Sequence, residues 1–225
     1  MEEYLCGTEY SPETLPIGEP VDVTRAIADL DEVRSRLASI QRFRGLSGPA
    51  ALASGLGALG SGLVQLAVAP APHSAADTAR YVAIWTACLA FALAVNYGAV
   101  AVWLVRNWSS RTRTEFQTAA IAIVPSIVAG GAFTAALLSR GEIGLLPGTW
   151  ALCYGLGLLA TRSMLPRSVL PVAVAFAAIG AALLFASDTN ALAWWVMPFT
   201  FGVGQTAIGI LLVRENTPSA LGSGS

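Results

Sequence analysis

The chain contains no lysine, and only 12% of its 225 residues are charged, about half the usual fraction in a soluble domain. A formal net charge of −1 gives no electrostatic basis for binding nucleic acid. The single histidine, His73, is isolated, and Cys6, Cys88 and Cys153 lie far apart. The sequence therefore has neither the clustered ligands of a zinc or haem site nor a disulfide framework. We expect no metal and no cofactor.

Catalytic motifs are also missing. There is no phosphate-binding glycine loop, no GxSxG motif and no HExxH motif in the sequence. No Asp, Glu, Arg or His lies in the middle of any long apolar stretch, where proton relays, voltage sensors and most ion-coupled transporters carry ionisable groups. The sequence predicts no catalytic residue, and we expect the protein not to be an enzyme.

Long apolar stretches are what the chain does have, and 55% of its residues are hydrophobic. A helix needs ~20 mostly apolar residues to cross ~30 Å of hydrocarbon. The sequence therefore predicts an all-α, polytopic membrane bundle of six transmembrane helices within residues 45–214, with the lipid bilayer as its surroundings. The predicted spans are 46–69, 81–105, 118–139, 143–160, 169–186 and 191–213.

The arginines predict the orientation of these spans. Eleven of the 13 basic residues lie before the first span, in alternate gaps or after the last span: Arg25, Arg34, Arg36, Arg42, Arg44, Arg106, Arg111, Arg113, Arg162, Arg167 and Arg214. Only Arg80 and Arg140 lie in the opposite loops. By the positive-inside rule, the N-terminus and the C-terminus both face the cytoplasm. Trp85 and Trp150 fall near the predicted outer ends of their spans, as the residues of an aromatic belt do.

Residues 23–44 are predicted to form a cytoplasmic amphipathic helix before the membrane. Apolar residues recur there with heptad spacing, and we call these six residues the seam: Val23, Ala26, Leu30, Val33, Leu37 and Ile40. Two arrangements stay open: the helix lies on the inner membrane face or against the bundle, or its seam binds a second copy or another protein. Residues 1–22 predict a flexible acidic tail with no secretory signal. Residues 215–225 predict a second tail, ending in a Gly-Ser run typical of a cloning linker.

Similar features recur in the three pairs of consecutive spans. Each odd-numbered span has a proline near its cytoplasmic start, at Pro49, Pro125 and Pro171. Even-numbered spans carry tryptophan near the outside and arginine at the inner end. Three tandem helical hairpins would produce this pattern, but so would the preference of membrane interfaces for these residue types. A division into spans one to three inverted against four to six has less support in the sequence.

A sparse set of polar residues remains inside the spans. Its members are Ser54, Ser61, Gln65, Asn96, Tyr97, Ser126, Thr134 and Gln205. Small and polar residues at these spacings favour close helix packing and interhelical hydrogen bonds. Because buried amides are costly unless they are bonded, we expect Gln65, Asn96 and Gln205 to meet one another. The alternative is that these three residues and Tyr97 line a central polar path or pocket.

The junction before the first span carries a recognisable motif. It reads Leu30-x-x-Val33-Arg34-x-x-Leu37, followed by Phe43-x-x-Leu46-Ser47-Gly48. This junction resembles the start of a widespread group of uncharacterised bacterial six-span integral membrane proteins, which have an Ile-Arg pair, a Phe-x-x-Leu-Ser-Gly junction and a glycine-rich first span. Where that group often has Met-Glu-Arg-Ser, this chain has Leu37-Ala38-Ser39-Ile40. The resemblance implies a multi-pass protein of the bacterial inner (cytoplasmic) membrane and implies no catalytic residues.

Two functions are compatible with these patterns. The first is a non-enzymatic membrane sensor, scaffold or accessory subunit that acts through its cytoplasmic helix. The second is a channel or uniporter for a small neutral solute or an ion, with the buried amides along its path.

Overall fold

The computed structural model divides the chain into two compact units, 1–40 and 41–225. The residues that it describes are 27, 29, 30, 46–72, 74–186 and 188–216. In the first unit, Ile27, Asp29 and Leu30 are helical, and the seam residue Leu30 is 57% exposed. The rest of the predicted helix 23–44, with the seam residues Val23, Ala26, Val33, Leu37 and Ile40, lies outside the described residues, so this helix stays a prediction.

Three long helices begin the second unit, and a serine caps each of them. Helix α1 is Gly48–Val68, α2 is Ala75–Arg106 and α3 is Ser110–Arg140. The side chains of Ser47, Ser74 and Ser109 accept hydrogen bonds from backbone N–H groups in the respective first turns, which would otherwise lack partners. Helix α3 ends at Gly141, whose φ of 76° is the left-handed conformation that glycine adopts without strain.

The helices that follow are shorter and less regular. A 3₁₀ turn leads into α4, Leu146–Ala160, and another leads into α5, Leu170–Leu183. The four-residue helix α6, Asp188–Ala191, is followed by an irregular segment, 192–195. Helical structure resumes at Val196, passes through the π-helical segment Pro198–Val203 and continues as α7, Gly204–Asn216.

The described part of the chain is helical and contains no strand, in agreement with the predicted all-α class. Four helices are long and apolar enough to cross a membrane, and they coincide with the first four predicted spans: Gly48–Val68, Ala75–Arg106, Thr112–Arg140 and Ile143–Ala160. In place of the fifth predicted span there is a shorter apolar helix, Arg167–Leu183. The sixth predicted span, 191–213, is interrupted at its start, because the long helical stretch begins only at Val196.

The helices of the second unit pack in a definite order. The most extensive contacts are those of α4 with α5, α1 with α7 and its π segment, α1 with α2, and α3 with α4. Helices α1, α4, α5 and α7 contribute to one buried cluster around Phe176 and Ile208. In α2 and α3, none of the most apolar window is buried, so these two helices lie at the edges. The first two predicted hairpins are packed pairs, whereas α5 packs mainly on α4 and α7 mainly on α1. The third pair therefore does not repeat the packing of the other two.

Glycines spaced by seven residues bring α1 and α7 into close contact. Gly48, Gly55 and Gly62 follow one another along a single face of α1. A Cβ atom at Gly55 would lie 2.9 Å from the carbonyl oxygen of Gly202, and one at Gly48 would lie 3.0 Å from that of Gly209. Side chains at these positions would therefore force the helices apart, as at the small-residue interfaces of other membrane helices.

Glycines also bring α4 and α5 into close contact. A Cβ atom at Gly155 would lie 2.6 Å from the backbone nitrogen of Ala177, and one at Gly148 would lie 2.9 Å from the carbonyl oxygen of Gly180. The central bundle is therefore held by two close helix pairs, and few side chains separate their backbones.

Candidate functional site

The polar residues inside the helices form separate hydrogen-bonded groups. No hydrogen bond joins Gln65, Asn96 and Gln205 to one another in the described part of the chain. Each amide instead pairs with a different partner. These partners determine what chemistry each amide can support.

Gln65 is completely buried, and both ends of its amide are hydrogen-bonded. Its Nε2 donates to the carbonyl oxygen of Leu192 at 3.0 Å, and its Oε1 accepts from Trp85 Nε1 at 2.9 Å. The Leu192 carbonyl lacks the usual helical donor because residues 192–195 interrupt the helix, and the amide of Val196 bonds elsewhere. Gln65 therefore replaces a missing backbone hydrogen bond at a break in the last predicted span. Irregular backbone at membrane depth is tolerated only where protein covers and satisfies it.

Two tryptophans that the sequence assigned to an aromatic belt act as interhelical donors. Trp85 is only 3% exposed and lies in a buried cluster, so the belt interpretation is wrong for this residue. Trp150 is partly buried, and its Nε1 donates to Thr134 Oγ1 at 2.8 Å. Thr134 in turn donates to the carbonyl oxygen of Gly130 at 2.6 Å. The predicted site residue Thr134 thus links α3 to α4.

Tyr81 carries a buried hydroxyl group that has no hydrogen-bond partner among the described residues. Its side chain is completely buried and packs in one cluster with Trp85, Leu192 and Met197. A buried polar group without a partner costs about 1–3 kcal/mol. The sequence did not single out this tyrosine, because a tyrosine at the start of a span is typical of the membrane interface.

The second polar group joins α1 to α2. Asn96 Nδ2 donates to Ser54 Oγ at 2.7 Å and to the carbonyl oxygen of Ala92 at 2.8 Å. Ser54 Oγ donates to the carbonyl oxygen of Ala50 at 2.9 Å. Ser54 is buried and Asn96 is partly buried. These bonds use the donors of both side chains within the helix pair, as expected for an interhelical contact.

The third polar group lies between α4 and α7. Gln205 Nε2 donates to the hydroxyl oxygen of Tyr154 at 2.7 Å. The Tyr154 ring makes an edge contact with Phe176, with 4.8 Å between the ring centroids, and a tilted contact with Phe201 at 5.7 Å. Such aromatic pairs add packing energy beyond the area that they bury. The sequence patterns did not single out Tyr154 as the partner of Gln205; the only available signal was a Tyr-Gly pair that also occurs at Tyr97-Gly98.

The remaining predicted site residues have no common location. Tyr97 is exposed on α2. Ser126 faces α4, where a Cβ atom at Gly157 would lie 3.3 Å from its Oγ. Ser61 lines an apolar groove between α1 and α2, together with Cys88. In the described structure, no hydrogen bond joins these three side chains to the hydrogen-bonded groups of Gln65, Thr134, Asn96 or Gln205.

The chemical capacity of these groups is limited. Two grooves lie between α1 and α2, and none of the three amides lines either of these two. No group of three or more His, Cys, Asp or Glu side chains that could hold a metal ion occurs among the described residues. Comparison of the chain with protein-family models, curated proteins and solved structures finds no match.

Proposed function

We propose that the chain is a six-span protein of the bacterial inner membrane with both termini in the cytoplasm. A count of six requires that the short fifth predicted span and the interrupted sixth predicted span also cross the membrane. Residues 196–216 are continuously helical when the π segment is included, and their 21 residues cover about 31 Å at 1.5 Å per residue. Arg167–Leu183 is shorter, and local thinning of the bilayer accommodates such a helix at modest cost. The arginine count supports the orientation.

Within that membrane, we propose a non-enzymatic sensor, scaffold or accessory subunit that acts through the cytoplasmic helix 23–44. The observation that carries this proposal is that each of the three amides donates to a protein group: Gln65 to a backbone carbonyl, Asn96 to a serine and Gln205 to a tyrosine. A permeation path would require such groups to face water or a solute. We therefore assign the three amides to helix packing. We assign the binding of a partner to the predicted helix with the seam.

Solute and ion flux into liposomes that carry the purified protein tests this proposal. We expect no flux above that of empty liposomes for small neutral solutes, sodium or potassium. Flux that Gln205→Leu abolishes would establish the channel or uniporter instead. A native pull-down should recover a partner, or a second copy of the chain, and deletion of residues 23–43 should remove it.

Fusions with an enzyme that is active only in the periplasm test the orientation. A reporter placed after Arg214 should be silent, and one placed after Pro72, in the first predicted outer loop, should be active. The reverse result would refute the orientation while leaving the number of spans open.

A further inference from the structure

A groove between α1 and α2 has a polar end and an apolar wall. It has a volume of about 600 Å³ and lies between residues 46–49 and the last three turns of α2. Gly98, Val102 and Arg106 lie at intervals of four residues and so share one face of α2 along the groove. Arg106 and Asn107 are at one end, and Gly98 and Ala99 are at the other.

Arg106 supplies the charge of this groove. It is exposed in the last turn of α2 and takes part in no ion pair within the described residues, where Arg80 and Asp77 form the ion pair. The start of α1 contributes little positive potential of its own, because Pro49 has no N–H and Ser47 Oγ already accepts from the Ala50 amide. Among the described lining residues, the charge therefore comes from the guanidinium group of Arg106, and not from the N-terminus of α1.

The dimensions of the groove match one leaflet of a bilayer. From Gly98 to Arg106, α2 rises about 12 Å at 1.5 Å per residue. The hydrocarbon core is ~30 Å thick, so one leaflet contributes ~15 Å. Trp103, which also lines the groove, is near the charged end, where tryptophan marks the boundary between headgroups and acyl chains. An acyl chain along Gly98 and Val102 would thus end in a headgroup beside Arg106.

We propose that this groove binds an anionic glycerophospholipid, with the phosphate on Arg106 and one acyl chain between α1 and α2. The proposal rests on the proposed insertion in a membrane. Gly98 lines the groove, and a Cβ atom there would have nothing within 4 Å, so a larger side chain at this position has room to fill the groove. The bound lipid belongs to the membrane leaflet on the side where α2 ends at Arg106.

Native mass spectrometry of the full chain in detergent, titrated with phosphatidylglycerol or phosphatidylcholine, tests the proposal. Gly98→Leu should fill the groove and weaken binding of phosphatidylglycerol at least fivefold. Arg106→Gln should weaken it about fivefold, as expected for one basic group near a lipid surface. Each variant has a matched control. Gly131 on α3 likewise has nothing within 4 Å of a Cβ atom, and Arg140 is likewise the last-turn arginine of its helix.

The expected result is that Gly131→Leu and Arg140→Gln bind phosphatidylglycerol as the unmodified chain does. Wild-type preference for phosphatidylglycerol over phosphatidylcholine should disappear in Arg106→Gln. Equal binding of both lipids by the unmodified chain would overturn the proposal, and so would equal losses in the control variants. Competition by millimolar inorganic phosphate would assign the site to free phosphate, and a dimer that Gly98→Leu disrupts would assign the groove to a second copy. Both outcomes contradict the lipid site without affecting the orientation test, so the two proposals fail separately.

Discussion

Replacing Gln65 with leucine should destabilise the protein more than any other single change to its polar residues. Leucine is of similar size and has no polar side-chain atom, so the substitution removes the amide without leaving a large cavity. Two hydrogen bonds disappear, one to the Leu192 carbonyl and one from the Trp85 indole. Because Gln65 is 0% exposed, water cannot take the place of either partner. The carbonyl and the indole N–H are then left buried and unpaired.

The expected cost follows from two estimates. Interhelical hydrogen bonds in membrane proteins average about 0.6 kcal/mol and reach about 1.7 kcal/mol, so two bonds give roughly 1–3 kcal/mol. A buried unpaired group in a water-soluble protein costs about 1–3 kcal/mol, which gives roughly 2–6 kcal/mol for two. Since the unfolded state in detergent finds other partners for polar groups, we expect a loss near 2 kcal/mol.

Reversible unfolding in mixed micelles of increasing SDS fraction, followed by circular dichroism, measures this loss. Val64→Leu is the matched control, because Val64 is the neighbouring residue and is exposed; its stability should stay within about 0.5 kcal/mol of wild type. Gln205→Leu should fall between the two, because it removes one hydrogen bond, to the Tyr154 hydroxyl, where Gln65→Leu removes two.

A double-mutant cycle then isolates the Gln65–Trp85 bond. Trp85→Phe removes the indole N–H, and the coupling energy between the two substitutions should be about 0.6–1.7 kcal/mol. A Gln65→Leu variant as stable as Val64→Leu, together with a coupling energy near zero, would refute the assignment of Gln65 to the helix break at 192–195.

Three further changes test the packing. Gly55→Ala places a Cβ atom 2.7 Å from the backbone nitrogen of Thr206 and should lower the free energy of unfolding by about 1–3 kcal/mol in the same assay. The control is Gly60→Ala, where a Cβ atom meets nothing within 4 Å, and it should cause no loss. Equal losses in the two variants would contradict the close α1–α7 contact. Tyr81→Phe removes a hydroxyl group without a described partner and should leave stability unchanged or raise it by up to about 1 kcal/mol; a clear loss would reveal a bonded water. Thr134→Val should lower stability by about 0.6 kcal/mol through the lost bond from the Trp150 indole, and an unchanged midpoint would count against that bond.

The positions of the first four helices were predictable from composition, because a helix that crosses hydrocarbon must satisfy its own backbone and carry apolar side chains. The predicted span 143–160 and the observed Ile143–Ala160 have the same ends. The break at 192–195 was not predictable in this way. Its residues, Leu-Ala-Trp-Trp, are as apolar as a helix interior, and what permits the break is a glutamine 127 residues earlier in the chain.

The contacts of the polar residues were likewise only partly predictable from the sequence. That Gln65, Asn96 and Gln205 are bonded was predictable, since unpaired amides are costly in hydrocarbon. Which groups they bond depends on which helices pack together, and the hydropathy of the sequence does not indicate this. Spacing by seven at Gly48, Gly55 and Gly62 was a usable signal, because glycines on one helical face mark a close contact; this signal predicts a contact but not that α7 is the partner.

The buried polar groups and the glycines together place the firmest structure at the centre of the bundle. Close backbone contacts hold α1 to α7 and α4 to α5, and Gln65 fixes the irregular segment before α7 to α1. Helices α2 and α3, in contrast, each pack mainly on one neighbour and leave their apolar windows uncovered. Local stability follows the density of buried contacts. We therefore expect a bound partner or lipid to displace α2 and α3 more easily than the central helices. The groove at Arg106 lies on one of these edge helices, which is where a bound lipid can change helix position without breaking the central contacts.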